Sequence, residues 1–225
     1  VIAKIKDILA DPKKIDKELI KEMEEVKSGI GEPTRKTVIQ DFESVKLSVF
    51  IDKFAIQYID GALKKRAATY KSDRGIYLRT DSSETVYFFF ADGTCKKCPA
   101  AQIPKKTEYD VVAMLNESEL TPGSYVVLAS SSGMVKRTSA EDLIAMKKEG
   151  VVLKLDKDES LISVYAQGDA EDIALFSKDG MCIRFALNDV NPTGRVGMGV
   201  KGMNVSTPDA VKDVFLIKED EDLVV

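Results

Sequence analysis

Any chemistry in this chain has to be done without histidine, because none of its 225 residues is one. That removes the commonest general base and the commonest metal ligand. Cys95-Lys96-Lys97-Cys98 spells C-x-x-C, but a structural zinc site wants four ligands and no second such pair is present. A redox C-x-x-C sits at a helix start, where the dipole lowers the thiol pKa. This one sits inside a predicted strand that runs into Pro99. Strand residues three apart point to opposite faces, so both cysteines are expected to be inert, buried thiols. Glu219-Asp220-Glu221-Asp222 reads as a solvated acidic turn rather than a metal site. Gly194-Arg195-Val196-Gly197-Met198-Gly199 lacks the G-x-G-x-x-G order, and no βαβ pattern surrounds it. No nucleophile has a partner base. The chain is expected to hold no catalytic residue, metal or cofactor of its own.

What recurs instead is a cation at one place in a repeated strip. Leu128 to Arg137, LASSSGMVKR, reads as a strand, a tight Ser132-Gly133 turn and a second strand ending in Lys136 and Arg137. Leu175 to Arg184 reads LFSKDGMCIR, and Phe88 to Lys97 is a third copy turning at Gly93. Val49 to Tyr58 reads as a worn copy with Phe54 in place of the glycine. Phe54, Gly93, Gly133 and Gly180 are then 39, 40 and 47 residues apart, a spacing typical of repeat architectures. Glycine suits these turns because it takes positive φ without a Cβ clash. Two residues past each turn stand Cys95, Val135 and Cys182, with Ile56 in the worn copy; four past stand Lys97, Arg137 and Arg184, with Tyr58. Two readings of those cations stand: solvated strand ends, or a line of positive charge across successive repeats.

Around the strips the elements follow from pattern. Ile2, Ile5, Ile8 and Leu9 have helical spacing. Asp11-Pro12 reads as an N-cap followed by proline at the first helical position, and Ile15, Leu19, Met23 and Val26 form one stripe before Gly29. Residues 1–36 are therefore expected to be a helical lead-in that must pack on something else, and residues 37–225 an all-β domain with strand signals every 8 to 12 residues. Val45 to Ile51 and Ala55 to Ile59 read as the first hairpin. Ala62 to Gly75 is basic and reads as a loop or irregular outer strand. Val86 to Phe90 is an unbroken apolar run, expected of a strand covered on both faces. Asn191 to Val205, NPTGRVGMGVKGMNV, has two cations and no carboxylate. It reads either as a linking loop or as a backbone able to lie against a polyanion through Arg195 and Lys201. No apolar run nears the roughly 20 residues that span a bilayer, and the charged N-terminus is unlike a signal peptide. A cytoplasmic protein with no membrane partner is expected. Net charge is −4, so a nucleic-acid role must rest on a local basic track.

Together, the helical lead-in, the repeated strip and TGRVGMGVKGMNV resemble the C-terminal domain of the bacterial type IIA topoisomerase A subunit, that of DNA gyrase or the similar one of topoisomerase IV. The resemblance implies a β-pinwheel, a propeller-like fold of four-stranded blades that exchange an outer strand. Here that means about four blades, in an arc that is open or truncated. It implies a non-catalytic domain that binds and bends duplex DNA on a basic outer rim, close to the nucleoid. Its further partners are the ATPase subunit plus the remainder of the A subunit; ATP and Mg act elsewhere in the full enzyme. The family's catalytic tyrosine and metal carboxylates match nothing here. Its basic, glycine-rich box, Q-R/K-R-G-G-R/K-G, corresponds to Lys64 through Gly75, which keeps the cations and loses the paired glycines. The implied DNA contacts are Lys64, Lys65, Arg66, Arg74, Lys97, Lys136, Arg137, Arg184, Arg195 and Lys201. The alternative is a propeller-type protein-interaction scaffold without DNA affinity.

Overall fold

The computed structural model describes residues 9–29, 51–71 and 74–218. The chain divides into two compact units, Val1–Val49 and Phe50–Val225. The expected boundary at residues 36 and 37 lies outside the described residues, as do Ile2 to Ile8, Val45 to Phe50 and the acidic turn at Glu219 to Asp222.

Of the first unit, one helix is described, α1 (Pro12–Gly29). Its start is as expected: Asp11 caps it, with Oδ1 accepting from Lys13 N at 3.0 Å and its carbonyl accepting from Lys14 N and Ile15 N. Leu19, Met23 and Val26 of its stripe are more than half exposed.

Among its described residues the second unit is built from four antiparallel sheets. Module 1 comprises β1 (Lys53–Ile59), β2 (Ala62–Ala67) and β3 (Ile76–Asp81). Module 2 comprises β4 (Thr85–Phe90), β5 (Thr94–Pro99) and β6 (Val111–Asn116). Module 3 comprises β7 (Tyr125–Ser130), β8 (Met134–Ser139), the short helix α2 (Ala140–Ile144), β9 (Glu149–Val151) and β10 (Leu161–Ala166). Module 4 comprises β11 (Asp172–Ser177), β12 (Cys182–Ala186), β13 (Val200–Lys201) and β14 (Val211–Ile217). In each module the first strand lies between the second and the last. Two sheets gain a fourth strand from the module that follows: β9 pairs with β5, and β13 pairs with β8. Module 1 receives a reduced version, a bridge from Ala62 to Lys106 beside a Leu63 N to Lys105 O bond of 3.0 Å.

Successive modules pack face to face. Phe54, Ile56, Tyr58 and Leu78 of module 1 meet Val86, Phe88 and Phe90 of module 2. Tyr87 and Phe89, on the other face of the same strand, meet Val126, Leu128 and Leu161 of module 3. Val127 and Val135 meet Ile173, Leu175 and Val214 of module 4. The run from Val86 to Phe90 is apolar throughout because alternate residues serve two different interfaces. Cys95 and Cys98 likewise fall into different clusters, as their spacing requires.

One expectation is corrected. The first hairpin does not turn at Phe54, which lies buried within β1. It turns at Asp60-Gly61, both residues having positive φ (49° and 73°). The first copy of the strip is therefore FAIQYIDGALKK, with Leu63 two residues and Lys65 four residues past the glycine. The glycines stand 32, 40 and 47 residues apart. Asp-Gly between apolar runs is a strong short-range hairpin signal, and it was there to be read.

Candidate nucleic-acid interface

The repeated cations sit at one structural place, but that place is mostly not the surface. Lys97 Nζ donates to Ile144 O at 2.9 Å, at the end of α2 in module 3. Arg137 Nη1 donates to Leu187 O at 2.8 Å and Val190 O at 3.3 Å, around the single helical turn Leu187–Asp189 of module 4. In both cases a cation of one module donates to carbonyls at a helical turn in the next: Ile144 O and Val190 O at the turn's C-terminal end, and Leu187 O, which also accepts from Val190 N. Arg137 also stacks on Tyr125, 4.4 Å from the ring centroid. Lys65 instead pairs with Asp52 at 3.2 Å and lies over Phe54. Arg184 pairs with Asp172 at 2.6 Å and is exposed. The expected line of free positive charge is thus, at Lys97 and Arg137, a set of ties between modules.

Lys136 is also removed from the surface. It is 0% exposed, and its Nζ donates to Val152 O at 2.7 Å and to Arg195 O. No phosphate reaches Lys136 or Arg137 where they stand, which corrects their assignment as DNA contacts. Burial pushes the Lys136 amine down to about 8, with attraction from Asp142 opposing that and Arg195 adding to it. The sign follows. Below about pH 8 the folded chain carries a buried charge; between there and the ordinary lysine value of 10.5 the unfolded chain holds the extra proton. Over that window the group adds stability as pH rises, by up to about 1.4 kcal/mol per pH unit. Urea unfolding of the wild type and of Lys136→Met should therefore diverge toward alkaline pH, the wild type gaining. Parallel pH profiles would assign the titration elsewhere.

The remaining candidates divide. The Arg195 guanidinium lies against Gly150, whose missing side chain leaves it room, so it is half-buried. Arg66 Nε donates to Gln57 Oε1 at 3.1 Å and stacks on Tyr70. Lys64, Arg74 and Lys201 are exposed. Cys95 is buried as expected, whereas Cys98 is only half-buried and Cys182 is exposed; burial raises the pKa of both Cys95 and Cys98.

Sequence reasoning missed a different recurrence. The segment that each module lends to the one before it carries lysines. Lys105 and Lys106 bridge to β2, Lys147 and Lys148 immediately precede β9, and Lys201 lies on β13. All five are exposed. They occupy the outermost position of three successive sheets, beyond the strip where the cations were sought. Glu149 beside them is engaged with Lys96 at 3.5 Å. The dipeptides Lys105-Lys106 and Lys147-Lys148 were visible in the sequence; their common place depends on strand exchange. Among the described residues no group of three or more Cys, Asp or Glu is placed to hold a metal ion. No described helix is long and apolar enough to cross a membrane.

Comparison with known proteins gives a consistent picture. Residues 124–167 and 171–218 match the family described as DNA gyrase C-terminal domain, beta-propeller. The DNA gyrase A subunit of Chlamydia trachomatis is 32% identical over 118 residues, 51% of this chain and 14% of that protein. The DNA gyrase A subunit of Clostridium acetobutylicum is 28% identical over 240 residues, 89% of this chain and 29% of that protein. The chain thus spans less than a third of the length of these relatives. Among solved structures, the C-terminal domain of DNA topoisomerase IV superposes with a TM-score of 0.64 at 18% identity, over 76% of this chain and 63% of that one. At that identity the likeness speaks for the fold, a pinwheel of β-modules.

Proposed function

With residues 124–167 and 171–218 belonging to the DNA gyrase C-terminal domain family, we propose that the second unit is a non-catalytic, DNA-binding and DNA-bending domain of a bacterial type IIA topoisomerase A subunit. In this reading an ATPase subunit, with the rest of the A subunit, supplies cleavage, ATP and Mg chemistry in the cytoplasm. This domain presents duplex DNA to them for supercoiling or decatenation. Residues 1–36 are the lead-in from the catalytic core.

The observation that carries the reading is the placement of Lys105, Lys106, Lys147, Lys148 and Lys201 on exchanged segments at the outer edges of successive modules. Lys64, Lys65, Arg74 and Arg184, exposed on modules 1 and 4, extend the set. A curved duplex meets each edge in turn through its phosphates, without reading bases. Bending a site by 40–90° costs roughly 1–6 kcal/mol, so several such contacts have to act together.

A gel-shift titration of a short duplex at two salt concentrations tests this. Log K is expected to fall by about 0.9 per phosphate neutralised for each tenfold rise in salt. The triple variant Lys106→Glu, Lys148→Glu, Lys201→Glu should flatten that slope by about three such units. Binding that is absent, or indifferent to salt, would leave the protein-interaction scaffold as the better reading.

A further inference from the structure

We propose that the second unit carries a groove for a short basic peptide of a partner protein, one with an apolar anchor residue. The groove runs from the outer strand of the module 2 sheet past Tyr109 to the hairpin turn of module 1. It goes beyond the DNA role proposed above and does not depend on it.

The groove begins as a gap that one pair of modules fills and another leaves open. Between modules 2 and 3 the gap is closed by Arg195 of module 4. Its guanidinium lies against Gly150, and its carbonyl accepts from Lys136 Nζ. Lys96 stands opposite Phe88 in β5 as Lys136 stands opposite Leu128 in β8. Lys96, however, pairs with Glu149 at 3.5 Å, and a cleft of about 580 Å³ opens beside it. Module 3 has α2 where module 4 has the glycine-rich loop, and its Met146 packs into the interface between modules 2 and 3.

This first cleft has apolar walls from Phe88, Phe90 and Val151. Tyr109 also lines it, 50% exposed and edge-on to Phe90 with ring centroids 6.3 Å apart. A second cleft, of about 460 Å³, shares Asp92, Thr107, Glu108 and Tyr109 with the first, so the two adjoin. Asp110 and Glu159 bring its carboxylates to four, and no lysine or arginine lines it. Lys96 and Lys106 line the first cleft only, and Lys96 is engaged by Glu149. Three modules build the second cleft: Tyr58 and Gly61 come from the first, Glu159 and Ser160 from the third, the rest from the second. Ala91 N donates to Asp110 O and Leu161 N to Ala91 O, both at 2.9 Å, and Tyr58 OH donates to Asp110 Oδ1 at 2.8 Å. Walls fixed in this way lower the ordering cost of binding.

An apolar cleft beside one lined by carboxylates calls for a ligand with both characters. Each volume lies within the range of small-ligand sites, but the neighbouring backbone favours a chain. β9 is the outermost strand of its sheet, so an extended peptide can pair with its free edge while one apolar side chain enters the first cleft. Lysine or arginine next to that anchor then reaches the carboxylates of the second cleft and the Tyr109 ring. The same four carboxylates repel a phosphate backbone, so the groove and the lysine-bearing edges serve different partners.

Fluorescence anisotropy of three labelled synthetic peptides, with the 225-residue chain and no DNA, tests the groove at fixed salt. Their sequences are GFGRKRG, GGGRKRG and GFGEEEG. The first should bind saturably, and the other two at least about ten-fold more weakly. Glu108→Lys with Val151→Lys should weaken the first peptide by a similar factor without reducing duplex binding. Glu108 is exposed, and lysine already holds the place of Val151 in the next sheet, at Lys201; the unfolding midpoint checks that the variant is folded. Equal binding of GGGRKRG and GFGRKRG would reduce the site to diffuse charge and overturn it, as would tighter binding of GFGEEEG. Displacement of GFGRKRG by a short duplex, or no saturable binding by any peptide, overturns it as well. Duplex binding is measured separately, so failure of the DNA reading leaves the peptide result standing, and the reverse.

Discussion

Arg137→Met is expected to lower the unfolding free energy by about 2–4 kcal/mol while leaving the DNA affinity of the folded protein unchanged. Truncation leaves Val190 O without its guanidinium partner and Leu187 O with only the bond from Val190 N. A buried polar group left unpaired costs about 1–3 kcal/mol, and the stack on Tyr125 adds a fraction of that. Most domains have only about 5–15 kcal/mol in total, so urea unfolding will register the change clearly. Arg184→Met is the internal control. It occupies the same place in the repeat, but is exposed and pairs only with Asp172 of its own module. An exposed ion pair contributes about 0–1 kcal/mol. Equal losses at the two positions would mean that Arg137 does not tie module 3 to module 4.

The second large effect concerns the glycine of the strip. Gly93 and Gly133 have φ of 80° and 84°, as the turn requires, but they also do something the turn does not explain. Gly93 O accepts from Val152 N at 2.9 Å and Leu153 N at 3.1 Å. Gly133 O accepts from Gly202 N at 2.9 Å and Met203 N at 3.1 Å. Each is the docking point for the segment returned by the next module, and a Cβ there would overlap the carbonyl oxygen of Leu153 or Met203. Gly61 and Gly180 have equally positive φ and open space around them. Gly133→Ala should therefore cost roughly 3 kcal/mol or more, combining backbone strain of about 1–3 kcal/mol with the displaced hydrogen bonds. Gly180→Asn should cost under about 1 kcal/mol, since asparagine tolerates this backbone region. Thermal unfolding compares them directly. If both variants melt alike, close approach of the exchanged segment is not what reserves Gly133 for glycine.

These two results mark the limit of what the repeat disclosed. Local signals were dependable where they depended on local physics. The Asp11 cap, the Gly93, Gly133 and Gly180 turns and the doubly covered strand at Val86 to Phe90 all lie where spacing put them. The first hairpin breaks the constant period: a regular interval points to Phe54, but the turn is at Asp60-Gly61. The cations of the strip divide for another reason. Position in a strip says that Lys97, Arg137 and Arg184 are equivalent, but exposure depends on whether a following module brings carbonyls or only solvent to that place.

From its residues alone this chain is determined to be a histidine-free β-repeat protein with turn glycines, because turn chemistry and alternation act over a few neighbouring positions. Only the tertiary structure decided which lysines and arginines meet water. Lys136 and Arg137 are drawn inside by carbonyls some 16 to 59 residues away in sequence, while Lys106, Lys148 and Lys201 are carried outward by strands lent across modules. Charge is a property of the residue; its availability to a phosphate depends on what else the fold brings within hydrogen-bond distance.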